Sequence, residues 1–366
     1  MTTLTEAMEQ LAALLPRPVA PTRLPAGAAL GRVLAADLIA GADLPPVAVA
    51  ALDGVAVRAA ELDGAGPYAP VVLVQPPRLA LGENLPPDAD AVLAAHSVAW
   101  RGDCAELAGP AAPGEGVRPP GRDIAAGTVW RRQGARLSHW DLPLLAALGM
   151  KEVAVRIPRI ALLPTGAAAA DASSACLAAL LAAEGATVQL LPPIAGRDRI
   201  AAALARAVGR ADLVITTGGT GEGRDDHTAA ALADAGTLAV HGIGLRPGST
   251  AGFGAIAGTP VILLPGRPAD ALGCWLVLAT PAVRRLSGAS SPPARKLRLA
   301  RKLVSTPGIA ELALLAAAGD GMVPLAIADL PLAAFAQAQS FLLVPAGREG
   351  ADAGDVLECH ELRGPA

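Results

Sequence analysis

The stretch from about residue 155 to residue 287 constrains the fold of this chain most, because apolar runs alternate there with segments of helical periodicity. Short apolar runs bounded by Gly and Pro read as buried strands, and the longer periodic stretches between them as covering helices. Ile160 to Leu163 is a strand candidate ending at Pro164-Thr165-Gly166. Ala175 to Glu184 reads as a helix stopped by Gly185, Val188 to Leu191 as a strand, and Arg199 to Val208 as a helix stopped by Gly209. A third strand, Leu213 to Thr216, runs into Thr217-Gly218-Gly219-Thr220-Gly221-Glu222-Gly223. Asp226 can then cap a helix through Ala235. Pro260 to Leu264 is a further strand, followed by Pro265-Gly266-Arg267-Pro268 and a helix from Ala269 that Pro281 should kink or end. The pattern predicts a three-layer α/β domain.

A chain of 366 residues predicts two to four domains, and shifts in composition divide it into four blocks. Residues 1–45 and 141–154 form an N-terminal domain with a helix from Leu4 to Leu15. Residues 46–140 read as a β-rich insertion, with Val71–Val74, Ala91–Leu93 and Thr128–Trp130 set between Pro/Gly/Asp clusters. Residues 155–287 are the α/β domain, and Ser287–Pro293 is the best linker in the sequence. Residues 294–366, with strand candidates Leu312–Leu315, Phe341–Val344 and Val356–Cys359, read as a small β domain.

Hydrophobic residues make up 52% of the chain but aromatics only 2%, so its cores must be built from Ala, Leu and Val. No run of about 18 or more uncharged apolar residues occurs, so no membrane span is expected. Met1 to Arg17 carries Glu6 and Glu9 and reads as an amphipathic helix, not a signal peptide, which places the chain in the cytoplasm. A net charge of −3 argues against nucleic acid as a partner. Lys151, Lys296 and Lys302 are the only lysines, so an anion site between the first two must use Arg or backbone N–H groups. Cys104, Cys176, Cys274 and Cys359 lack paired spacing and read as free thiols. Cys359-His360-Glu361 lacks a second ligand pair and does not read as a metal site.

Three patches can carry chemistry. In Thr216–Gly223 a strand delivers a glycine-rich turn to a helix N-terminus, where backbone N–H groups and the helix dipole favour an anion. The same turn is also compatible with a tight β–α connection that binds nothing. A Rossmann site fits less well, since the loop follows the third strand, and no Gly-Lys-Ser/Thr ends it as a P-loop requires. Asp226, next to Asp225, either caps the helix or holds a divalent cation that bridges phosphate oxygens. Pro265–Pro268 is a rigid turn at a second strand end. The third patch joins Leu44-Pro45-Pro46 to Leu52-Asp53-Gly54-Val55-Ala56, where Asp53-Gly54 alone would read as a hairpin turn. Among the five histidines only His227 falls inside a candidate site, and it reads as a solvated helix-start residue.

Taken together and in this order, the patches resemble the molybdopterin molybdenumtransferases, the MoeA/gephyrin E-domain family. The family's Pro-Pro-Phe and Met-Asp-Gly-Tyr-Ala appear as Pro45-Pro46-Val47 and Leu52-Asp53-Gly54-Val55-Ala56. Its Pro-x-Gly-Ala-Asp-Ala-Val-Val appears as Pro87-Asp88-Ala89-Asp90-Ala91-Val92, and its Val-Arg-x-x-Gly-Glu-Asp as Val117-Arg118-Pro119-Pro120-Gly121-Arg122-Asp123. Thr216-Thr217-Gly218-Gly219 matches the family loop, Asp226 its Gly-x-x-Asp-Tyr aspartate, and Leu264–Pro268 its Leu-Pro-Gly-Asn-Pro.

The resemblance implies an elongated four-part subunit that forms a homodimer, with a site between the α/β domain of one subunit and the Asp53 domain of the other. It implies molybdenum-cofactor biosynthesis: insertion of molybdate into adenylylated molybdopterin with release of AMP, assisted by Mg²⁺. Carried onto this sequence, the catalytic residues are Asp53 and Asp226, the latter also the metal ligand. The substrate-binding set is Thr165, Gly166, Thr216, Thr217, Gly218, Gly219, Thr220, Gly221, Arg246, Pro265, Gly266 and Pro268.

Several family residues are replaced. Ala167 and Ala168 stand where the family has Asp-Glu, and Ala195 and Gly196 where it has paired aspartates. Ala229 replaces a lysine, Arg246-Pro247-Gly248-Ser249-Thr250 keeps one cation of Lys-Pro-Gly-Lys-Pro, and Leu81 replaces the threonine of a Thr-Gly pair. Two readings follow. The first, which we prefer, is an atypical but working transferase. The second is a non-catalytic protein that binds molybdopterin or finished cofactor and delivers it to a partner molybdoenzyme.

Overall fold

A computed structural model describes residues 1–15, 17–165, 173–319 and 321–362. By internal contacts the chain separates into two compact units, one of Met1–Ala36, Gln133–Ser138 and Glu152–Ala366, the other of Asp37–Arg132 and His139–Lys151.

The larger unit is organised by a six-stranded sheet. Four strands run parallel: β1 (Arg159–Pro164), β2 (Thr187–Leu190), β3 (Leu213–Thr217) and β7 (Thr259–Leu264), in the order β2-β1-β3-β7. Two antiparallel strands, β6 (Gly252–Ile256) and then β4 (Thr237–His241), extend the sheet beyond β7. The edge pair was not legible in the sequence, because Gly252 and Gly254 depress strand propensity. The structure shows their use: a Cβ at Gly254 would overlap the Thr237 carbonyl, and one at Gly252 would lie 2.6 Å from the Val240 carbonyl oxygen.

Period-two alternation along the central strands gives both faces of the sheet apolar side chains. Ile160, Leu162, Leu213, Ile215, Ile262 and Leu264 face one core. Against it pack α1 (Leu4–Leu14), α2 (Ser174–Ala183) and the helical run from α5 (Pro268–Cys274) to α6 (Thr280–Ser287). Ala161, Leu163, Val214, Val261 and Leu263 face the other, under α3 (Arg197–Val208) and α4 (Thr228–Ala235). Helices therefore cover both faces, and the three layers expected from the sequence are present.

Pro281 does not end the helical run, one of the two outcomes the sequence suggests. It sits in the first turn of α6, where its missing N–H is tolerated, and a π-helical segment, Trp275–Ala279, takes up the change of register before it. The first helix is fixed by a capping box: Glu6 N–H donates to the Thr3 hydroxyl at 3.3 Å, while Thr3 N–H donates to the Glu6 carboxylate at 3.2 Å.

The tail strands are β8 (Arg295–Arg298), β9 (Ala310–Ala318), β10 (Gly321–Ile327), β11 (Ser340–Val344) and β12 (Val356–Glu361). Their sheet does not end with the tail: β5 (Ile243–Arg246) pairs in parallel with β9, and Thr2–Thr3 pairs in parallel with β5. Alternation along β12 buries Cys359 and exposes His360, which stacks on Phe341 with ring centroids 5.2 Å apart. Cys359 and His360 thus point to opposite faces, and all four cysteines are free.

The smaller unit is built from short strands over a core of Val55, Val57, Leu62, Ala91, Leu93, Ala105 and Leu107, with the half-buried Trp100 packed against it. Its strand Gly54–Val57 pairs with Ala91–Ala94 on one side and Arg78–Leu79 on the other. Among the described residues no helix is long and apolar enough to cross a membrane.

Candidate functional site

β3 and β7 are adjacent and parallel, so the loops leaving their C-terminal ends must be neighbours. The contact is close: a Cβ at Gly266 would lie 3.2 Å from the Gly218 Cα. Gly218 N–H donates to the Leu264 carbonyl at 2.9 Å, which locks the glycine loop to the start of the Pro265–Pro268 turn. Gly218 itself has φ of +101°, outside the range open to L side chains, and a Cβ there would overlap the Thr165 carbonyl oxygen. Glycine is required here by both torsion and space.

Hydroxyls hold the floor of this loop. Thr165, at the end of β1, donates from its side chain to the Gly218 carbonyl at 2.6 Å. Thr228, the first residue of α4, shares its one hydroxyl proton between the Thr165 hydroxyl and the Gly218 carbonyl, each 2.9 Å away. Thr217 and Ser174, the first residue of α2, share a hydroxyl contact of 3.0 Å. Two strand ends and two helix starts are therefore tied together by side chains that carry no charge. Above this floor, the N–H groups of Gly219, Thr220 and Gly221 donate to no other described residue, which leaves them available to an anionic ligand.

A third loop joins the first two. Arg246 to Thr250 follows β5, and the Thr250 hydroxyl lies 3.0 Å from that of Thr220. Its Gly248 abuts the Cys274 sulfur, and a Cβ at Gly273 would meet the Pro247 ring at 2.7 Å, so this turn leans on α5. Burial pushes the Cys274 thiol well above the ordinary thiol range, so it acts as an inert packing group.

The structure brings Thr165, Thr217, Gly218, Gly219, Thr220, Gly221, Pro265, Gly266 and Pro268 together in this way. Thr216 belongs to the same strand end, but it is fully buried and its hydroxyl has no partner among the described residues, so it underlies the loop instead of facing out. Gly166 lies outside the described residues, as do Ala167 and Ala168. Arg246 stands at the head of the third loop and points its guanidinium at the buried Glu311, 3.6 Å away. Arg267, in the asparagine position of the family turn, pairs with Asp329 at 2.8 Å and Asp270 at 3.4 Å. Asp270 is raised from the ordinary carboxylate value, first by burial and then by Asp329, with Arg267 opposing.

Asp226 does not cap the helix. α4 begins at Thr228, two residues later, with His227 at the cap position and no side-chain capping bond. The Asp226 carboxylate turns back into its own loop, where Oδ2 accepts the Gly223 N–H at 2.9 Å. A Cβ at Gly221 or Gly223 would meet that same oxygen at 2.6 or 2.9 Å, so the glycines make room for the carboxylate. Its second oxygen takes no hydrogen bond from a described residue. Nor is His227 the only histidine at the loop: His241 Nε2 donates to the Thr220 carbonyl at 2.9 Å. Sequence reasoning passed over His241, Ser174 and Thr228, which are brought in only by tertiary packing.

In the smaller unit Asp53 precedes the strand Gly54–Val57 and accepts the Leu81 N–H at 2.7 Å. Asp53-Gly54 is not a hairpin turn. Gly54 starts a strand, and a Cβ there would overlap the Leu93 carbonyl of the neighbouring strand. Asp53 thereby fixes the Ala80–Glu83 turn, where Glu83 accepts the Ala80 N–H at 2.8 Å.

Comparison with known proteins now decides the family. Residues 2–149 match the MoeA N-terminal region (domains I and II), and residues 160–285 match the probable molybdopterin binding domain. Molybdopterin molybdenumtransferase 2 of Mycobacterium tuberculosis H37Rv is 31% identical over 342 residues, covering 82% of this chain and 84% of the relative. The chain belongs to the molybdopterin molybdenumtransferase (MoeA) family. Molybdopterin molybdenumtransferase of Haemophilus influenzae is 29% identical over 321 residues, which cover 79% of this chain and 78% of that protein. Among solved structures, the molybdopterin biosynthesis MoeA protein of Pyrococcus horikoshii aligns over 100% of both chains, with a TM-score of 0.79 and 27% identity. The family match spans both the unit that holds the three loops and the one that holds Asp53.

Proposed function

We propose that the protein inserts molybdate into adenylylated molybdopterin and releases AMP, as a molybdenumtransferase of molybdenum-cofactor biosynthesis. The observation that carries this reading is the convergence of three loops at the strand ends of the molybdopterin-binding region, with the N–H groups of Gly219, Thr220 and Gly221 unengaged beside the Asp226 carboxylate. The N–H groups suit phosphate oxygens, and the apposed Gly218 and Gly266 allow a flat ring to approach the backbone closely.

The side chains present fit Mg²⁺ in one way only. Among the described residues no group of three or more His, Cys, Asp or Glu could hold a metal alone. A hard, small cation is commonly held by one or two carboxylates together with substrate phosphate oxygens, and the spare oxygen of Asp226 offers the first of these. The ion would supply charge neutralisation where the phosphoanhydride breaks. Thr165 and Thr228 hold the loop backbone in place for this, while Arg246 provides the nearest cation of the third loop.

The reading includes a cytoplasmic homodimer of four-block subunits, with Asp53 of one chain facing Thr217 of the partner subunit. Its support is the family match over 82% of the chain and the exposure of Asp53 at the surface of its unit. The carrier reading draws on the thinned set of charged residues: Ala195, Gly196, Ala229 and Ser249 occupy positions where the family resemblance places Asp or Lys. In vitro reconstitution of an apo-molybdoenzyme from molybdate, Mg²⁺ and adenylylated molybdopterin separates the two. Reconstitution that depends on this protein supports the transferase, and reconstitution only from preformed cofactor overturns it.

A further inference from the structure

The groove beside the outer strand β2 lies at an edge of the sheet and takes no part in the three-loop site. It encloses about 420 Å³, between β2 and α3. Its floor is apolar, formed by Leu163, Ile194 and Ala203, and its rim carries Arg199, Arg206 and Arg210. Neighbouring arginines on this unit are neutralised: Arg159 pairs with Asp212 at 2.8 Å and Arg197 with Asp234 at 2.5 Å. Arg199, Arg206 and Arg210 form no ion pair among the described residues, and all three are exposed.

The backbone of β2 is open on the same side. Thr187 N–H donates to the Pro158 carbonyl and Leu191 N–H to the Leu162 carbonyl, both at 2.8 Å. Period-two alternation then turns the N–H and C=O groups of Val188 and Leu190 outward, away from the sheet. Leu190 is 49% exposed, and neither a lysine nor a bulge blunts this edge.

We propose that this edge docks an acidic, extended segment of a partner protein, which adds as an outer strand beside β2 and sets alternate carboxylates over Arg199, Arg206 and Arg210. The length of the arginine row favours an extended chain over a compact polyanion. From residue 199 to residue 210 the helix and its exit turn run roughly 15 Å, close to the ~13 Å spanned by three same-face side chains of a strand. A phosphate cluster would call for arginines that converge on one point. Here Arg199 and Arg206 lie on α3 and Arg210 just beyond its end, at intervals of seven and four residues along the groove rim.

The probe is a fluorescein-labelled peptide of alternating Glu and Val with four Glu residues, titrated with the full-length protein by fluorescence anisotropy at low salt. Saturable binding that weakens as salt rises is expected. Arg206→Glu combined with Arg210→Glu, both at exposed positions, should weaken it at least ~30-fold. Leu190→Pro removes one outward donor from an edge strand and should weaken it about tenfold or more. If that variant fails to fold, hydrogen exchange in the parent carries the same test, with protection of the Val188 and Leu190 amides expected on peptide addition. Absence of binding, binding without amide protection, or displacement by inorganic triphosphate with Leu190→Pro unaffected would each overturn the proposal.

Discussion

The fit between Gly219 and Thr228 gives a sharp test of the loop geometry. Gly219 has φ of +63°, and a Cβ built there would lie 2.5 Å from the Thr228 hydroxyl oxygen and 3.6 Å from the Thr228 Cβ. Gly219→Ala therefore pays a left-handed backbone cost of about 1–2 kcal/mol. It must also move the hydroxyl by nearly 1 Å, an overpacking cost of about 1–3 kcal/mol. Thr228→Ala removes the one hydroxyl proton shared between the Gly218 carbonyl and the Thr165 hydroxyl, a loss of about 0.5–1.5 kcal/mol. In the double variant the obstructing oxygen is gone and the nearest Thr228 atom, the Cβ, stands at ordinary contact distance. The two costs should then fall short of additive by about 1–3 kcal/mol, the size of the overpacking term. Urea unfolding of the parent, both single variants and the double variant measures this coupling. Additivity within about 0.5 kcal/mol, the usual figure for independent sites, would refute the packing described for the loop.

Three further outcomes follow from the same geometry. Asp226→Asn keeps an oxygen to accept the Gly223 N–H but removes the charge, so turnover should fall about 100-fold or more with little loss of stability, while Asp225→Asn, at an exposed neighbour, should be mild. Equal turnover in both variants and the parent would make Asp226 a loop-closing residue only. The bond from Thr3 holds the Glu6 carboxyl below its ordinary value, so Glu6 adds stability above the unfolded carboxylate pKa that is lost as pH falls through the folded one. The thermal midpoint of Glu6→Gln should therefore lie below that of the parent at pH 7 and converge with it once the pH has fallen through the lowered Glu6 value; a gap that persists in strong acid would contradict this. Light scattering at micromolar concentration should give the mass of two 36.4 kDa chains, and a monomer with full activity would rule out a shared site.

Much of the site's frame could be read from residues in order along the chain. Strand β3 and its glycines were legible because Leu213–Thr216 is apolar and Gly218 must be glycine. The turn after β7 was legible because two prolines mark it. What escaped the sequence was the chemistry of contacts between distant segments. Nothing near Thr228 predicts that its hydroxyl will reach Thr165, 63 residues away, and nothing near His241 predicts its bond to Thr220. The helix-cap reading of Asp226 failed for a related reason. A carboxylate a few residues before an apolar helix reads as a cap, but the glycines at 221 and 223 let this loop fold back and take the carboxylate for its own N–H group. The β4–β6 edge escaped for the opposite reason, since the glycines that weaken its sequence signal are those its close strand packing requires.

The central claim is that the three-loop site carries out metal insertion and does not merely hold the pterin. Single-turnover AMP release tests it most directly, with excess protein first loaded with adenylylated molybdopterin and Mg²⁺ and molybdate added last. The account predicts that AMP stays bound in the substrate until molybdate arrives and is then released, one per pterin, and that Asp226→Asn slows this step. Pterin retained on the protein with its adenylyl group intact after molybdate addition would contradict the account and establish the protein as a carrier.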